Sequence, residues 1–408
     1  MNIRPIFSSL RKHRIPTTLI VLEIALACAV LCNAVFMIGQ RIGDIRLPNA
    51  IDQAGISVVT VQGTDPDHAR DVIARNLATL RAIPGVQAVA LMNTVPLSQN
   101  GWNTGFTTDP ATKGFDDKYV NVAEYLITSG GDKALGLHLF RGRFFHADEY
   151  AAGTLGTSFM PTGHAAVITR SFAARMWPGH SALGKVLYMG DTYSYTVVGI
   201  VDNVLRPNRN GGDARSFSHS VFLPVAPVES AMNDYIVRSA PVDRDRVLRA
   251  SIDKLSKLEP AAVVKGRTFS DIRNAYFADT RSMAWMLVLV CAVMIAVTAF
   301  GIVGLSSFWV GQRRRQIGIR RAVGATRGHI LRYFQTENFL ISSLGVALGM
   351  ILAYGANLYL MQHYEMARMP WYFLPIGALT LWLIGQFSVL GPALRASNVP
   401  PVVATRSV

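Results

Sequence analysis

Apolar residues are distributed unevenly along the 408 positions of this chain. They gather into four runs, residues 17–39, 282–310, 339–360 and 371–391, which are nearly free of charge. About 20 apolar residues in a helix cross a hydrocarbon core of about 30 Å, so each run predicts a transmembrane helix. Trp285, Tyr354, Trp371, Tyr372 and Trp382 include interface anchors of the expected kind.

Between the first two runs the pattern changes. Residues 56–62, ISVVTVQ, read as a strand. Residues 66–83 read as a helix with Val72, Ile73, Leu77 and Leu80 on one face, stopped by Pro84-Gly85. Residues 86–95 are a second strand. The same order returns near the far end: strand 235–238, helix 243–258 with Leu248, Ile252, Leu255 and Leu258 on one face, and strand 262–269. Two β-α-β units at the ends of residues 40–281 predict a split ferredoxin-like subdomain, residues 40–100 with 229–281. Residues 101–228 form an insertion, read as mostly β from signals such as residues 195–201. The expected fold is thus four membrane helices with an α+β domain.

Charge sets the orientation. Half of the residues are hydrophobic, 16% are charged, and the net charge is +14. The excess lies beside the spans: residues 1–16, 311–338 and 392–408 carry 13 Lys/Arg and one acid, Glu337. Residues 40–281 are close to balance, with 26 basic and 23 acidic residues. This is a positive-inside distribution rather than a nucleic-acid-binding face. It places both tails and the 311–338 loop in the cytoplasm. Residues 40–281 and the short loop 361–370 lie outside. The first run exceeds a signal-peptide core and lacks an A-x-A site, so it is expected to remain as an anchor. Cys28, Cys32 and Cys291 all lie in spans and read as small packing residues.

Catalytic constellations are weak. His138 and His146 lack metal-ligand spacing, and Asp116-Asp117 and Asp148-Glu149 read as solvated loop charge. Trp102, Phe106, Tyr119, Phe144 and Phe145 read mainly as core. No G-x-S-x-G elbow and no phosphate-binding G-x-x-x-x-G-K-[ST] occur in the sequence. The chain is therefore expected to be non-catalytic and to bind no cofactor or metal.

The chemistry concentrates in residues 312–328, QRRRQIGIRRAVGATRG, between two spans. Ile319 and Val323 stand at i and i+4 and suit a partner's groove. Arg320, Arg321 and Arg327 suit a partner's acids, and Gly324 and Gly328 let the chain turn back to the membrane. Two further features lie inside spans. Glu23 is an intramembrane acid, suited to snorkelling or to a motion-linked role. Gly345 and Gly349 form a small-xxx-small pair for close helix packing.

Residues 315–327 through Glu337 to Gly345 resemble the signature loop and following helix of MacB/FtsX-type ABC transporter permeases. Residues 136–148, GLHLFRGRFFHAD, together with Trp177-Pro-Gly, Leu183-Gly-Lys185 and residues 197–203, resemble the periplasmic domain of MacB-like members. Residues 392–401, PALRASNVPP, resemble the family's closing motif. The resemblance implies an ATPase-coupling role for Gln316, Ile317, Ile319, Arg320, Arg321, Val323, Gly324 and Arg327. It implies two copies of a separate ABC ATPase holding ATP and Mg, and a second permease in a homo- or heterodimer. A periplasmic adaptor and an outer-membrane channel are optional partners, and membrane lipid surrounds the helices. The implied activity is mechanotransmission that exports a peptide, antibiotic or other amphiphile. Regulation of cell-wall hydrolases and lipoprotein release are the family's alternatives. Gln316 stands where relatives carry Glu, which replaces an ionic contact by a neutral one.

Overall fold

The computed structural model describes residues 14–64, 68–112, 119–155, 160–190, 192–208, 216–227, 232–364 and 368–398. Asp116, Asp117 and the closing Pro400-Pro401 lie outside these. The chain divides into two compact units: Leu47–Ala278, and the described residues on either side of it.

The Leu47–Ala278 unit is built on one 11-stranded sheet. In chain order its strands are β1 (Ile56–Gln62), β2 (Val86–Met92), β3 (Trp102–Phe106), β4 (Val120–Ile127), β5 (Leu139–Gly142), β6 (Ala165–Thr169), β7 (Val186–Met189), β8 (Tyr193–Val201), β9 (Ser220–Pro224), β10 (Asp234–Ser239) and β11 (Val263–Thr268). The sheet order is β11-β1-β10-β2-β4-β9-β6-β8-β5, with β3 on β4 and β7 on β8. β11, β1, β10 and β2 are all antiparallel neighbours, the arrangement of a ferredoxin-like sheet. The apolar faces of α2 (Ala69–Arg81) and α6 (Arg244–Leu258) cover this half. α2 buries Val72, Ile73, Leu77 and Leu80, as its 3.6-residue period requires. In α6 the most buried positions are Val247, Ser251 and Leu255, one residue round from the face read in the sequence. Leu248 and Ile252 still reach the sheet, where they close over Gly266.

The insertion holds β3–β9 and the short helices α3 (Gly131–Leu135), α4 (Ala147–Ala152) and α5 (Arg170–Met176). It continues the ferredoxin-like sheet through β4 and curls on itself, because Thr107, just after β3, and Tyr188 of β7 exchange both backbone hydrogen bonds at 2.9 Å. The junction is a single ladder pair, Met92 with Ile127. Side chains extend it: Leu126 N–H donates to Asn93 Oδ1 at 2.9 Å, and Leu91 N–H donates to Thr128 Oγ1 at 2.9 Å. Helix α7 (Phe269–Tyr276) then follows β11.

The other unit contains four helices long and apolar enough to cross a membrane: α1 (Arg14–Ile45), α8 (Ala278–Gln312), α10 (Arg327–Tyr364) and α11 (Phe373–Ser397). The first three extend beyond their apolar runs at both ends, whereas α11 starts two residues inside its run and ends six beyond it. Between α8 and α10 lies the nine-residue helix α9 (Arg314–Ala322). α1, α10 and α11 pack together through glycine notches. A Cβ on Gly345 would lie 2.8 Å from the Ile24 Cβ, and one on Gly349 would lie 2.7 Å from the Ala25 carbonyl and overlap Cys28. Gly377 leaves the space that Cys32 Sγ fills. α8 is attached more loosely: 17% of its apolar window is buried, against 56% of that of α1.

Candidate functional site

The coupling loop and helix expected over residues 311–338 are mostly helical, divided between α9 and the start of α10. α10 begins at Arg327, because Thr326 Oγ1 accepts the His329 N–H at 3.2 Å and the preceding Gly324 supplies a φ of +103°. The result is a short helix, a tight turn and a long helix. In isolation nine residues form a marginal helix, so α9 needs tertiary anchors to hold its place.

Its cations provide three. At the junction with α8, Arg313 Nη1 donates to both Oε1 and Oε2 of Glu337 at 3.0 Å. These side chains are 11% and 3% exposed, and the Arg313 guanidinium also lies over the Trp309 ring. Midway, Arg320 lies over the Tyr333 ring, 4.9 Å from its centre. Near the end, Arg321 Nη1 donates to the Ser397 carbonyl at 3.1 Å. That carbonyl is at the C-terminal end of α11, where a cation also meets the negative end of the helix dipole. α9 is thereby bound to α10 and to α11.

These anchors define two faces. Ile317 is buried at 5% exposure, Gly318 is buried and Arg321 is half-buried. At about 100° per residue the opposite crest carries Gln316, Ile319 and Val323. Ile319 is 48% exposed and Val323 83%. Arg315 and Arg320 are exposed on the flanks of that crest, and Arg327 and Gly324 are exposed at the turn. Of the residues singled out in the sequence, Ile317 and Arg321 face inward and serve as attachments. Gln316, Ile319, Arg320, Val323, Gly324 and Arg327 face outward.

Glu23 lies apart from this turn, half-buried on α1, with its carboxylate against Gly301 of α8. A side chain at Gly301 would collide with it. Gly345 and Gly349 face α1 within the same chain. Sequence reasoning passed over Arg313, Tyr333 and Ser397, and it placed Glu337 in the signature without a partner. One signal was available: Glu337 is the single acid in three strongly basic segments.

The α/β unit holds two buried charged groups. Glu124 on β4 is 1% exposed, and burial pushes its carboxyl up to about 7, partly offset by the Thr104 hydroxyl. Arg206 is 2% exposed and bound by neutral oxygens: Asn103 Oδ1 at 2.6 Å, Asn121 Oδ1 at 3.0 Å and Ser216 Oγ at 3.3 Å. Burial lowers the pKa of its guanidinium. Glu149 pairs with Arg143 at 2.7 Å, which holds its carboxyl below the usual range, and it accepts the His146 N–H that caps α4. Phe106 is fully buried and Trp102 packs against the core. Among the described residues no three His, Cys, Asp or Glu side chains gather as a metal site.

Comparison with known proteins adds the family. The MacB-like periplasmic core domain matches residues 17–255, and the FtsX-like permease C-terminal domain matches residues 288–401. The chain is 28% identical to the macrolide export ATP-binding/permease protein MacB of Bradyrhizobium diazoefficiens, over 55% of this chain and 35% of that protein. It therefore spans about a third of that relative's length. It is 22% identical to YknZ of Bacillus subtilis, described as an uncharacterized ABC transporter permease, over 99% of this chain and 98% of that one. Among solved structures, the periplasmic region of MacB from Actinobacillus actinomycetemcomitans aligns at 14% identity and a TM-score of 0.37, covering 58% of this chain and 97% of that one. The extracellular domain of YknZ aligns at 12% identity and a TM-score of 0.34, covering 52% and 99%. The periplasmic-core match spans more than half of the sequence and the permease match spans α9, α10 and most of α8 and α11, so the chain belongs to the MacB/FtsX-type permeases of ABC transporters.

Proposed function

We propose that this chain is the non-catalytic permease subunit of a MacB-like exporter in the inner membrane of a bacterium. α9 is its coupling helix. Two copies of a separate ATPase bind and hydrolyse ATP with Mg, and each presses on one α9 of a permease dimer. The four spans carry that motion to the Leu47–Ala278 unit, which lies in the periplasm and displaces a peptide, antibiotic or other amphiphile. A periplasmic adaptor and an outer-membrane channel complete the route.

The observation that carries this reading is the crest of α9. Exposed Ile319 and Val323 stand opposite buried Ile317, flanked by Arg315 and Arg320, on a helix bound to α10 and α11. A helix with an apolar crest and cationic flanks suits a groove with acidic rims. The positive charge beside the spans supports a cytoplasmic position for it. The word "export" in the names of MacB relatives supports an efflux direction.

The test is co-purification with a candidate ABC ATPase subunit co-expressed with this chain. An Ile319→Asp, Val323→Asp variant alters only exposed positions, so it should insert and fold as the wild type does. Its association with the ATPase should fall at least tenfold, and permease-dependent ATP hydrolysis should fall with it. Unchanged association would sink the docking role of α9.

A further inference from the structure

Buried ion pairs are poor stabilisers, because desolvating two charges offsets most of their attraction. The Arg313–Glu337 pair is nonetheless buried at a helix junction. Its position points to a different role. α9 returns along α10 after the turn at Gly324. Nine residues of α9 span about 14 Å, and the ten-residue step from Arg327 to Glu337 spans about 15 Å of α10. The two helices thus form a long, narrow hairpin. One end is closed by the chain itself, through a glycine at φ +103° that would otherwise act as a pivot. Arg320 over Tyr333 is a middle rung, and Arg313 with Glu337 closes the open end.

Two observations show why that end needs closing. The adjoining α8 is the least enclosed of the four spans, with 17% of its apolar window buried. Beside the pair lies a small gap with room for about one water, lined by Trp309, Phe334, Val389 and Pro392 as well as by Glu337 itself. The gap is local, because α10 and α11 meet closely beside it, where Asn338 Nδ2 donates to the Gly385 carbonyl at 3.0 Å.

We propose that Arg313 and Glu337 are positioning residues that lock α9 to α10 as one rigid lever. A push on α9 then moves α10, and through its glycine notches α1, and is not lost in rotation about Gly324 or in sliding of α8. The proposal rests on the reading of α9 as the docking helix, but its first test does not require the ATPase.

Spin labels at the exposed positions Arg314 and Arg332 report the α9–α10 distance in the whole chain, in nanodiscs. The wild type should give one narrow distribution. The neutral pair Arg313→Gln, Glu337→Gln removes both charges together and should fold. Its distribution should widen at least twofold, and the exchanged pair Arg313→Glu, Glu337→Arg should restore the narrow one. In the ATPase complex, the neutral pair should keep association within twofold of wild type. The nucleotide-dependent movement of α10 should nevertheless drop at least fivefold. A narrow distribution in the neutral pair, or widening that merely tracks each variant's loss of thermal stability, would overturn the proposal. A wild type that never associates with the ATPase would instead remove the docking reading, and the permease-only distances would still decide the lock.

Discussion

The Thr104 hydroxyl donates to Oε2 of Glu124 inside the sheet, while Oε1 of the same carboxyl meets no partner among the described residues. Burial dominates, and the carboxyl is pushed up to about 7. The native state therefore holds a proton that the unfolded chain releases near pH 4.3. The folded form binds more protons between those values, so stability falls as pH rises from about 4.3 to 7 and levels off above. This group's contribution to the fall is on the order of 3 kcal/mol. Denaturant unfolding of the α/β unit between pH 5 and pH 8 should show the decline, and Glu124→Gln should flatten it. An unchanged slope in that variant would place the titration elsewhere.

Gly349 and Gly355 stand on the same helix and should respond oppositely to alanine. A Cβ at Gly349 overlaps Cys28 and nears the Ala25 carbonyl, whereas one at Gly355 meets nothing within 4 Å. Gly349→Ala should cost about 1–3 kcal/mol through overpacking. Gly355→Ala should be neutral or slightly stabilising, since alanine is the better helix former by about 1 kcal/mol. Thermal melts of the two variants in one detergent give the comparison.

Arg206 joins β3, β4 and the segment before β9 through neutral acceptors. Arg206→Ala strands the Asn103 and Asn121 carbonyl oxygens and opens a void, with an expected loss of about 3 kcal/mol or more. Arg206→Lys should be nearly as damaging, because one ammonium cannot reproduce the planar spread of donors. Chemical denaturation followed by near-UV circular dichroism reports both variants. A wild-type midpoint for Arg206→Lys would mean that the charge alone suffices there.

The start of α7 is set by a reciprocal cap. Thr268 Oγ1 accepts the Asp271 N–H at 3.2 Å, and Asp271 Oδ2 accepts the Thr268 N–H at 3.2 Å. Thr268→Ala should destabilise by about 1 kcal/mol. Amide hydrogen exchange should localise the added fraying to residues 269–272.

Local pattern carried the sequence reading a long way. The strand expected at residues 56–62 is β1 to the residue, and the four apolar positions read for α2 are buried in it. The α6 face shifted by one because Ser251 fits under the helix with its hydroxyl bonded to the Val247 carbonyl, a cost hydropathy does not foresee. The start of α10 twelve residues before its apolar run has a related reason. Residues 327–338 mix Arg, His, Gln and Glu with Ile330 and Phe334, so mean hydropathy hides a helix whose apolar stripe is nevertheless buried.

Pairings between distant segments were the illegible part. Arg313 and Glu337 meet across a helix reversal, and nothing in either neighbourhood specifies the other. The exposed crest of α9 was legible as a period, Ile319 with Val323, but its inward face was not. Which side of a short helix is buried depends on α10 and α11, which the local sequence does not describe. The continuity of the sheet was also hidden, since one ladder pair and two side chains make the junction.

The placement of β10 between β1 and β2 has a consequence for how the protein is made. β1 and β2 emerge early from the ribosome and cannot pair with each other. Their shared neighbour, Asp234–Ser239, is synthesised only after the whole insertion. Closing that long loop carries an entropic cost that local contacts do not repay. The insertion, whose strands β3–β9 are contiguous in sequence, is free to fold first. The ferredoxin-like half then waits, with the apolar face of α2 uncovered, until its second β-α-β unit arrives. Damage to β10 or β11 should therefore leave a folded insertion attached to an exposed, aggregation-prone amino-terminal segment.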